Sequence, residues 1–218
     1  MKDRRKPRDE FPWMSTKELR VILVRHGQAE TGTDSDQPNQ YNHPDPGLTK
    51  LGRVQARRLA KRFSEEHFAG IYCSDLKRAH QTALAVKVHH PKTKFVVDTK
   101  LREVSPYHGP ARRAPSRGRV RDKVNQERND VRNMWEAVKK KHKPGDHVLI
   151  VAHGNIIRFL AALMAGMDPK HAVFFDTCNA SVTVLRAGAG NPEKGSRPAT
   201  IVTANCLKHL LPHQRTNC

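Results

Sequence analysis

The stretch Val21-Ile22-Leu23-Val24-Arg25-His26-Gly27 decides the architecture. Four consecutive apolar residues, too few for a helix, read as a strand buried on both faces. The abrupt change to Arg-His-Gly reads as a tight loop leaving the carboxyl end of that strand. Residues 28–47 are polar and carry Gly and Pro, hence loop. From Thr49, a residue suited to cap a helix, Leu51, Val54, Leu59 and Phe63 recur at helical spacing. The same alternation continues. Gly70–Cys73 reads as a strand, Asp75 to about His89 as a helix, and Lys94–Val97 as a third strand. Residues 103–119 are Pro/Gly/Arg-rich loop. Val124, Val131, Met134, Trp135 and Val138 then mark an amphipathic helix stopped by Pro144-Gly145. His147–Val151 is the next strand, Asn155–Ala165 an apolar helix, and Val182–Leu185 and Thr200–Thr203 are later strands. Strands alternating with helices predict an α/β fold, with a mostly parallel sheet between helical layers. No internal repeat and no linker interrupts the pattern. The expected organisation is therefore a basic tail, residues 1–18, and a single domain, residues 19–218.

In open parallel sheets the functional crevice lies beyond the carboxyl ends of the strands. Arg25 and His26 follow the first strand there. Ser74 and, one helical turn on, Arg78 follow the second, and His153-Gly154-Asn155 follows the strand at 147–151. If these strands run parallel, two histidines and two arginines converge on one rim. Arg102 and Glu103 follow the third strand.

This set suits phosphoryl transfer. Imidazole with an ordinary pKa of about 6.5 offers a neutral nucleophile near neutral pH. Arginine gives bidentate, permanently charged contacts to phosphate oxygens. A second histidine, or a backbone N–H opening the helix after His153, can meet charge that spreads over equatorial oxygens in the transition state. A carboxylic acid near the leaving oxygen supplies its proton and then acts as base on water, a role that Glu103 fits. Taken singly these residues have plainer readings: Arg78 as a solvated helix residue, Glu103 as half of a surface ion pair with Arg102, the glycines as ordinary turns. Their ordered joint occurrence is the stronger signal.

The chain resembles the histidine phosphatase (phosphoglycerate mutase-like) superfamily. The resemblance rests on Leu23-Val24-Arg25-His26-Gly27, Gly47-Leu-Thr49-x2-Gly52-x2-Gln55-Ala56, Ser74-x3-Arg78-Ala79-x2-Thr82-Ala83, Leu101-Arg102-Glu103 and Ala152-His153-Gly154, and it spans about residues 20 to 205. It implies a phosphoglycerate mutase-like three-layer α/β/α sandwich. His26 becomes phosphohistidine, with Arg25, Arg78, His153 and Asn155 as phosphate ligands and Glu103 as proton donor, and neither cofactor nor metal takes part. Pro106, His153-x-Asn155-x-Ile157-Arg158 and Asn179-x-Ser181-x-Thr183 are similar to the superfamily's member-5 branch of serine/threonine protein phosphatases. That similarity implies a phosphorylated protein as substrate. A sugar phosphate or bisphosphate, gripped in addition by Arg112, Arg113 and Arg117, is the alternative.

Composition bounds the remaining classes. Forty Lys+Arg against 21 Asp+Glu leave a net charge of +19, so an anionic partner is expected. Residues 102–143 hold 13 basic and 5 acidic residues, a net of +8, and Thr49–Phe63 adds six basic residues and no acid. Part of this field should therefore lie near the site, where it would steer an anionic phosphate ester. A basic scaffold binding RNA or acidic proteins is the reading from another class. It does not need the set above, and no aromatic residue lies between Arg112 and Arg132 for bases to stack on. No stretch approaches the roughly 18 apolar residues of a transmembrane helix, and the first ten residues lack the apolar core of a secretory signal. The four widely spaced cysteines, Cys73, Cys178, Cys206 and Cys218, read as reduced thiols of an intracellular protein. A cytoplasmic location is expected, with a mitochondrial one raised by the branch resemblance. The Phe11–Met14 cluster and the apolar helix 155–165 fit either homo-oligomer contacts or intrachain packing.

Overall fold

The computed structural model describes residues 18–30, 45–104, 117–188 and 198–217. A six-stranded sheet is built from β1 (Leu19–Arg25), β2 (Gly70–Cys73), β3 (Phe95–Val97), β4 (His147–Ala152), β5 (Val182–Ala187) and β6 (Ala199–Cys206), in the spatial order β3-β2-β4-β1-β5-β6. The pairs β3/β2, β2/β4 and β4/β1 are parallel. β5 and β6 are added antiparallel on the far side of β1. The helices are α1 (Lys50–Arg62), α2 (Lys77–Lys87), α3 (Arg117–Lys141) and α4 (Gly154–Met164).

The apolar run of β1 divides by parity. Val21 and Leu23 pack in the layer formed with α3 and α4, together with Val148, Ile150, Trp135, Val138, Ile157 and Leu160. Ile22 and Val24 face the opposite layer with α1 and α2, among Leu149, Val151, Leu59, Phe63, Ala83 and Val86. Covering both faces is what removes the apolar/polar alternation from the central strands. The result is the three-layer α/β/α sandwich with a mostly parallel sheet.

Several boundaries differ from the sequence reading. α2 begins two residues after Asp75, because Asp75 and Leu76 form the entry turn. The backbone N–H of Lys77 donates to Asp45 Oδ1 at 2.8 Å, so a carboxylate from a distant loop does the capping. α3 starts at Arg117, inside the segment read as loop, and runs for 25 residues. Beyond Pro115 no proline opposes helix growth, and weak apolar periodicity hides the extra turns. Cys73 and Cys206 are free, but Cys178 is disulfide-bonded, which corrects the reading of four thiols. Wide spacing along the chain says nothing about spacing in the fold. The expectations for the tail before residue 18, for the Phe11–Met14 cluster and for Arg112 and Arg113 lie outside the described residues.

The loop after β1 is held by close backbone contact with α1. Thr49 caps α1 by accepting from the Gly52 N–H at 2.9 Å, while its own N–H donates to the Gln28 carbonyl at 3.0 Å. A Cβ on Gly52 would lie 2.0 Å from that carbonyl oxygen, and one on Gly27 would lie 2.7 Å from the Gly52 oxygen. Backbone crosses backbone here, and only two glycines permit it. In an exposed helix, Gly→Ala raises stability by about 1 kcal/mol. Gly52→Ala is expected to reverse that sign and cost about 2–3 kcal/mol through overpacking. Urea denaturation reads the sign; a stabilised variant would contradict the crossing.

Candidate active site

Three parallel strands end at one level. Val24 and Cys73 both pair with Val151, and Arg25 pairs with Ala152, so the loops after β1, β2 and β4 leave the sheet side by side. His26, Ser74 and His153 are their first residues, and all three are buried. The His26 backbone is fixed from both sides. Its N–H donates to the Ala152 carbonyl at 3.0 Å, and its carbonyl accepts from the Ala180 N–H at 3.0 Å and from Asn179 Nδ2 at 3.3 Å.

The tautomer of His26 follows from its partners. Nδ1 lies 2.7 Å from the Gly27 carbonyl, which can only accept, so Nδ1 carries the hydrogen. Nε2 then holds the lone pair and accepts from Arg78 Nε at 3.3 Å. Burial, then the nearby guanidinium groups of Arg25 and Arg78, hold the His26 pKa well below its ordinary value. The ring is neutral at neutral pH, with an unprotonated nitrogen aimed at an arginine. Such a group can attack phosphorus.

The His153 ring meets His26 edge-on, with centroids 5.1 Å apart. Its Nε2 is 3.0 Å from Ser74 Oγ, and that oxygen also accepts from the Leu76 N–H at 3.3 Å. Its Nδ1 is buried without a hydrogen-bond partner among the described residues. When the Ser74 hydroxyl donates to Nε2, Nδ1 keeps its hydrogen and is an unused donor. Burial, then His26 and the arginines, lower the pKa of His153 well below the usual value.

Arg25 is anchored through Nη1, which donates to the carbonyls of Thr177 at 2.5 Å and Asn217 at 3.0 Å. Its Nε is buried and has no hydrogen-bond partner among the described residues. The segment supplying Asn217 is sewn in place: Gln55 Nε2 donates to the Gln214 carbonyl at 2.7 Å, and Asn179 N–H to the Thr216 carbonyl at 3.0 Å. Thr82 links the two rims by donating to the Arg78 carbonyl at 2.7 Å while accepting from the Gly27 N–H at 3.1 Å.

Glu103 turns inward. Its Oε1 accepts from the N–H groups of Asn155 at 3.1 Å, Val104 at 3.2 Å and Ile156 at 3.3 Å, which sets the carboxyl at the N-terminus of α4. Burial pushes its pKa up, and this outweighs the opposing pull of Arg25, the backbone donors and Arg78. The ion pair with Arg102 does not form. Arg102 instead binds Asp75 bidentately, Nε to Oδ1 at 2.9 Å and Nη2 to Oδ2 at 2.5 Å, which ties the Glu103 segment to the loop of Ser74 and Arg78. Asn155 is engaged at the same place: its Nδ2 donates to the Val104 carbonyl at 3.2 Å, so its visible task is to hold the Glu103 segment.

The six residues singled out from sequence thus gather at one end of the sheet, with Asn155 hydrogen-bonded to Glu103 and Val104. Sequence reasoning attached no role to Thr82, Gln55, Thr177 or the 214–217 segment. Thr82 sits one turn after Arg78, a signal that was present; Thr177 and Asn217 act through their carbonyls, which side-chain identity does not reveal. Cys73 precedes Ser74 directly, but burial pushes its thiol up to about 12, so it offers no nucleophile.

Comparison with known proteins gives a consistent picture. The family model described as the histidine phosphatase superfamily (branch 1) matches residues 21–196. A protein of Hydrogenobacter thermophilus named putative phosphoserine phosphatase 2 is 30% identical over 212 residues, covering 87% of this chain and 97% of that one. The mitochondrial serine/threonine-protein phosphatase Pgam5 of Caenorhabditis briggsae is 27% identical over 180 residues, 78% of this chain and 59% of that one. Among solved structures, a mycobacterial glucosyl-3-phosphoglycerate phosphatase superposes with a TM-score of 0.66 at 25% identity, covering 86% of this chain and 99% of that one.

The two neutral, buried imidazoles have a pH consequence. Each has a folded pKa below the ordinary 6.5, so below that pH the unfolded chain binds protons that the folded chain does not. Their contribution to stability is present above 6.5 and lost as pH falls through the folded values. Glu103, raised from 4.5, works in the opposite sense, its contribution fading as pH rises above 4.5. The thermal midpoint of His153→Asn is therefore expected to fall less steeply than that of the parent between about pH 7 and about pH 5. Parallel curves would contradict a neutral His153.

Proposed function

This chain belongs to the histidine phosphatase superfamily, and from that premise we propose that it hydrolyses phosphate monoesters of the phosphoserine type through a phosphohistidine at His26. The observation that carries the reading is the His26 tautomer. The Gly27 carbonyl holds the hydrogen on Nδ1 and leaves the Nε2 lone pair beside Arg78, where an incoming phosphate replaces the weak 3.3 Å bond.

Nε2 of His26 attacks phosphorus, an N–P bond forms and the ester P–O bond breaks. Arg25, Arg78 and His153 Nδ1 face the charge that gathers on the equatorial oxygens. Glu103, whose raised pKa keeps a proton available above the ordinary carboxylate range, gives that proton to the departing alkoxide. The resulting carboxylate takes a proton from water, the hydroxide oxygen bonds to phosphorus, the N–P bond breaks and Nε2 recovers its lone pair. Phosphate leaves, and Glu103 is again protonated.

Glu103 argues for a poor leaving group such as the serine alkoxide, since a good one leaves without an acid of raised pKa. A small, free phosphoserine-type ester is supported by the bacterial relative named a putative phosphoserine phosphatase, which matches along nearly its whole length. Phosphoserine or phosphothreonine within a protein is the second reading. It is supported by the Pgam5 relative and by the branch motifs around Asn155 and Asn179.

Turnover on phosphoserine, a phosphoserine peptide and a sugar-phosphate panel ranks these readings; no hydrolysis of any of the three would refute the reaction class. Glu103→Gln is expected to lower kcat on phosphoserine by about 10²–10⁴-fold and to leave p-nitrophenyl phosphate much less affected. Equal losses on both substrates would remove Glu103 from the role of acid.

A further inference from the structure

Thr177 is 3% exposed, yet its Oγ1 has no hydrogen-bond partner among the described residues. A buried hydroxyl without a partner is unfavourable in a folded protein, and one at a functional site calls for a ligand. Its surroundings say which kind. A Cβ on Gly154, the first residue of α4, would lie 3.2 Å from Thr177 Oγ1 and 3.6 Å from Arg25 Nε. The hydroxyl and the guanidinium edge thus border the same space beside the helix N-terminus, and glycine at 154 keeps it open. Arg25 Nε is likewise buried without a partner among the described residues, while Nη1 is held by the Thr177 carbonyl itself. One residue therefore anchors Arg25 through its main chain and presents a spare hydroxyl alongside it.

The charges near this space are mostly of one sign. Arg78 and Arg158 are both electrostatic neighbours of Arg25, and Arg158, one helical turn after Gly154, has an Nε that is also buried and unpartnered among the described residues. Asp176 Oδ1 approaches Arg158 to only 4.0 Å, and its side chain is largely exposed. Glu103, the acid of the site, is occupied through Oε1 with three backbone donors. Donors outnumber acceptors, so the matching ligand is an oxyanion.

We propose that the Thr177 hydroxyl is a further ligand of the transferred phosphoryl group, donating to an oxygen that Arg25 Nε also holds. The inference rests on the proposed function and adds a residue that neither the sequence motifs nor the arginine and histidine pattern contains. Thr177 touches the phosphoryl group and takes no proton from it. In the free protein its hydroxyl makes no hydrogen bond among the described residues. With phosphate bound it replaces a water that would otherwise face that oxygen.

This predicts opposite effects of one substitution on stability and on binding. Thr177→Val keeps the shape of the side chain and removes only the hydroxyl. The free variant should melt at the same temperature as the parent or higher. Its affinity for inorganic phosphate, read by calorimetry on the full chain, should fall about tenfold, a loss of about 1.4 kcal/mol. Thr177→Ser, which restores the hydroxyl, should recover phosphate affinity. On a turned-over substrate, kcat/KM should fall by a similar factor in Thr177→Val and return in Thr177→Ser. Unchanged phosphate affinity in Thr177→Val overturns the proposal, as does a lowered melting temperature with unchanged affinity, which would make the hydroxyl a structural group. Phosphate binding needs no turnover. A parent protein that binds phosphate but hydrolyses nothing would refute the proposed reaction, while the two variants still decide the role of Thr177.

Discussion

The parallel pairing of β2, β4 and β1 is the constraint from which the site follows. Because Val24 and Cys73 share Val151 as partner, three loops begin at one height, and each begins with a residue able to act on phosphate. A slip of one residue in β1 would exchange its two buried faces, moving Val21 and Leu23 into the layer of Ile22 and Val24, and would turn the Arg25–His26 pair over. Burial on both faces therefore fixes the register, and the register fixes the distance between His26 and His153. The antiparallel addition of β5 has a related effect: the turn before it brings Asn179 and Ala180 onto the His26 carbonyl and Thr177 onto Arg25.

On that frame the electrostatics are consistent with one another. Two imidazoles are kept neutral by burial and by neighbouring guanidinium groups, so they do not repel one another in the free protein. One carboxyl is shifted the opposite way by the same dry surroundings. Groups whose pKa values are pushed apart within one cleft are suited to separate nucleophile and acid roles. The net charge of +19 lies mostly elsewhere, since Arg25 and Arg78 are two of forty basic residues. On α1, Arg57, Arg58 and Lys61 are exposed and no acid accompanies them. A surface of this kind raises the local concentration of anions without choosing among them.

Much of this was legible in the residues. The four-residue apolar run of β1 and the helical spacing after Thr49 identify the sandwich, and the Arg-His-Gly and His-Gly turns place Arg25, His26 and His153 at its cleft. Less visible were features carried by the main chain. The caps of α2 and α4 come from Asp45 and Glu103, which are remote in sequence from the helices they serve, so no local capping motif announces them. The position of Asn155 beside Val104 depends on where the Glu103 loop folds back, which spacing alone cannot give. Arg102 finds Asp75 rather than its neighbour Glu103, because adjacent residues in an extended segment point in opposite directions. Thr177 was passed over since a threonine before a strand is ordinary; only its unpartnered burial distinguishes it.

The central claim is that Nε2 of His26 carries the phosphoryl group. A phosphoramidate is labile in acid and stable in alkali, unlike a phosphoserine ester. The most direct measurement is to mix the protein with a ³²P-labelled substrate, quench in alkali within the first turnover and locate the label by peptide mapping. The account predicts acid-labile label on the peptide containing His26, absent from His26→Ala. Turnover without any such label, or label that survives acid, would contradict it.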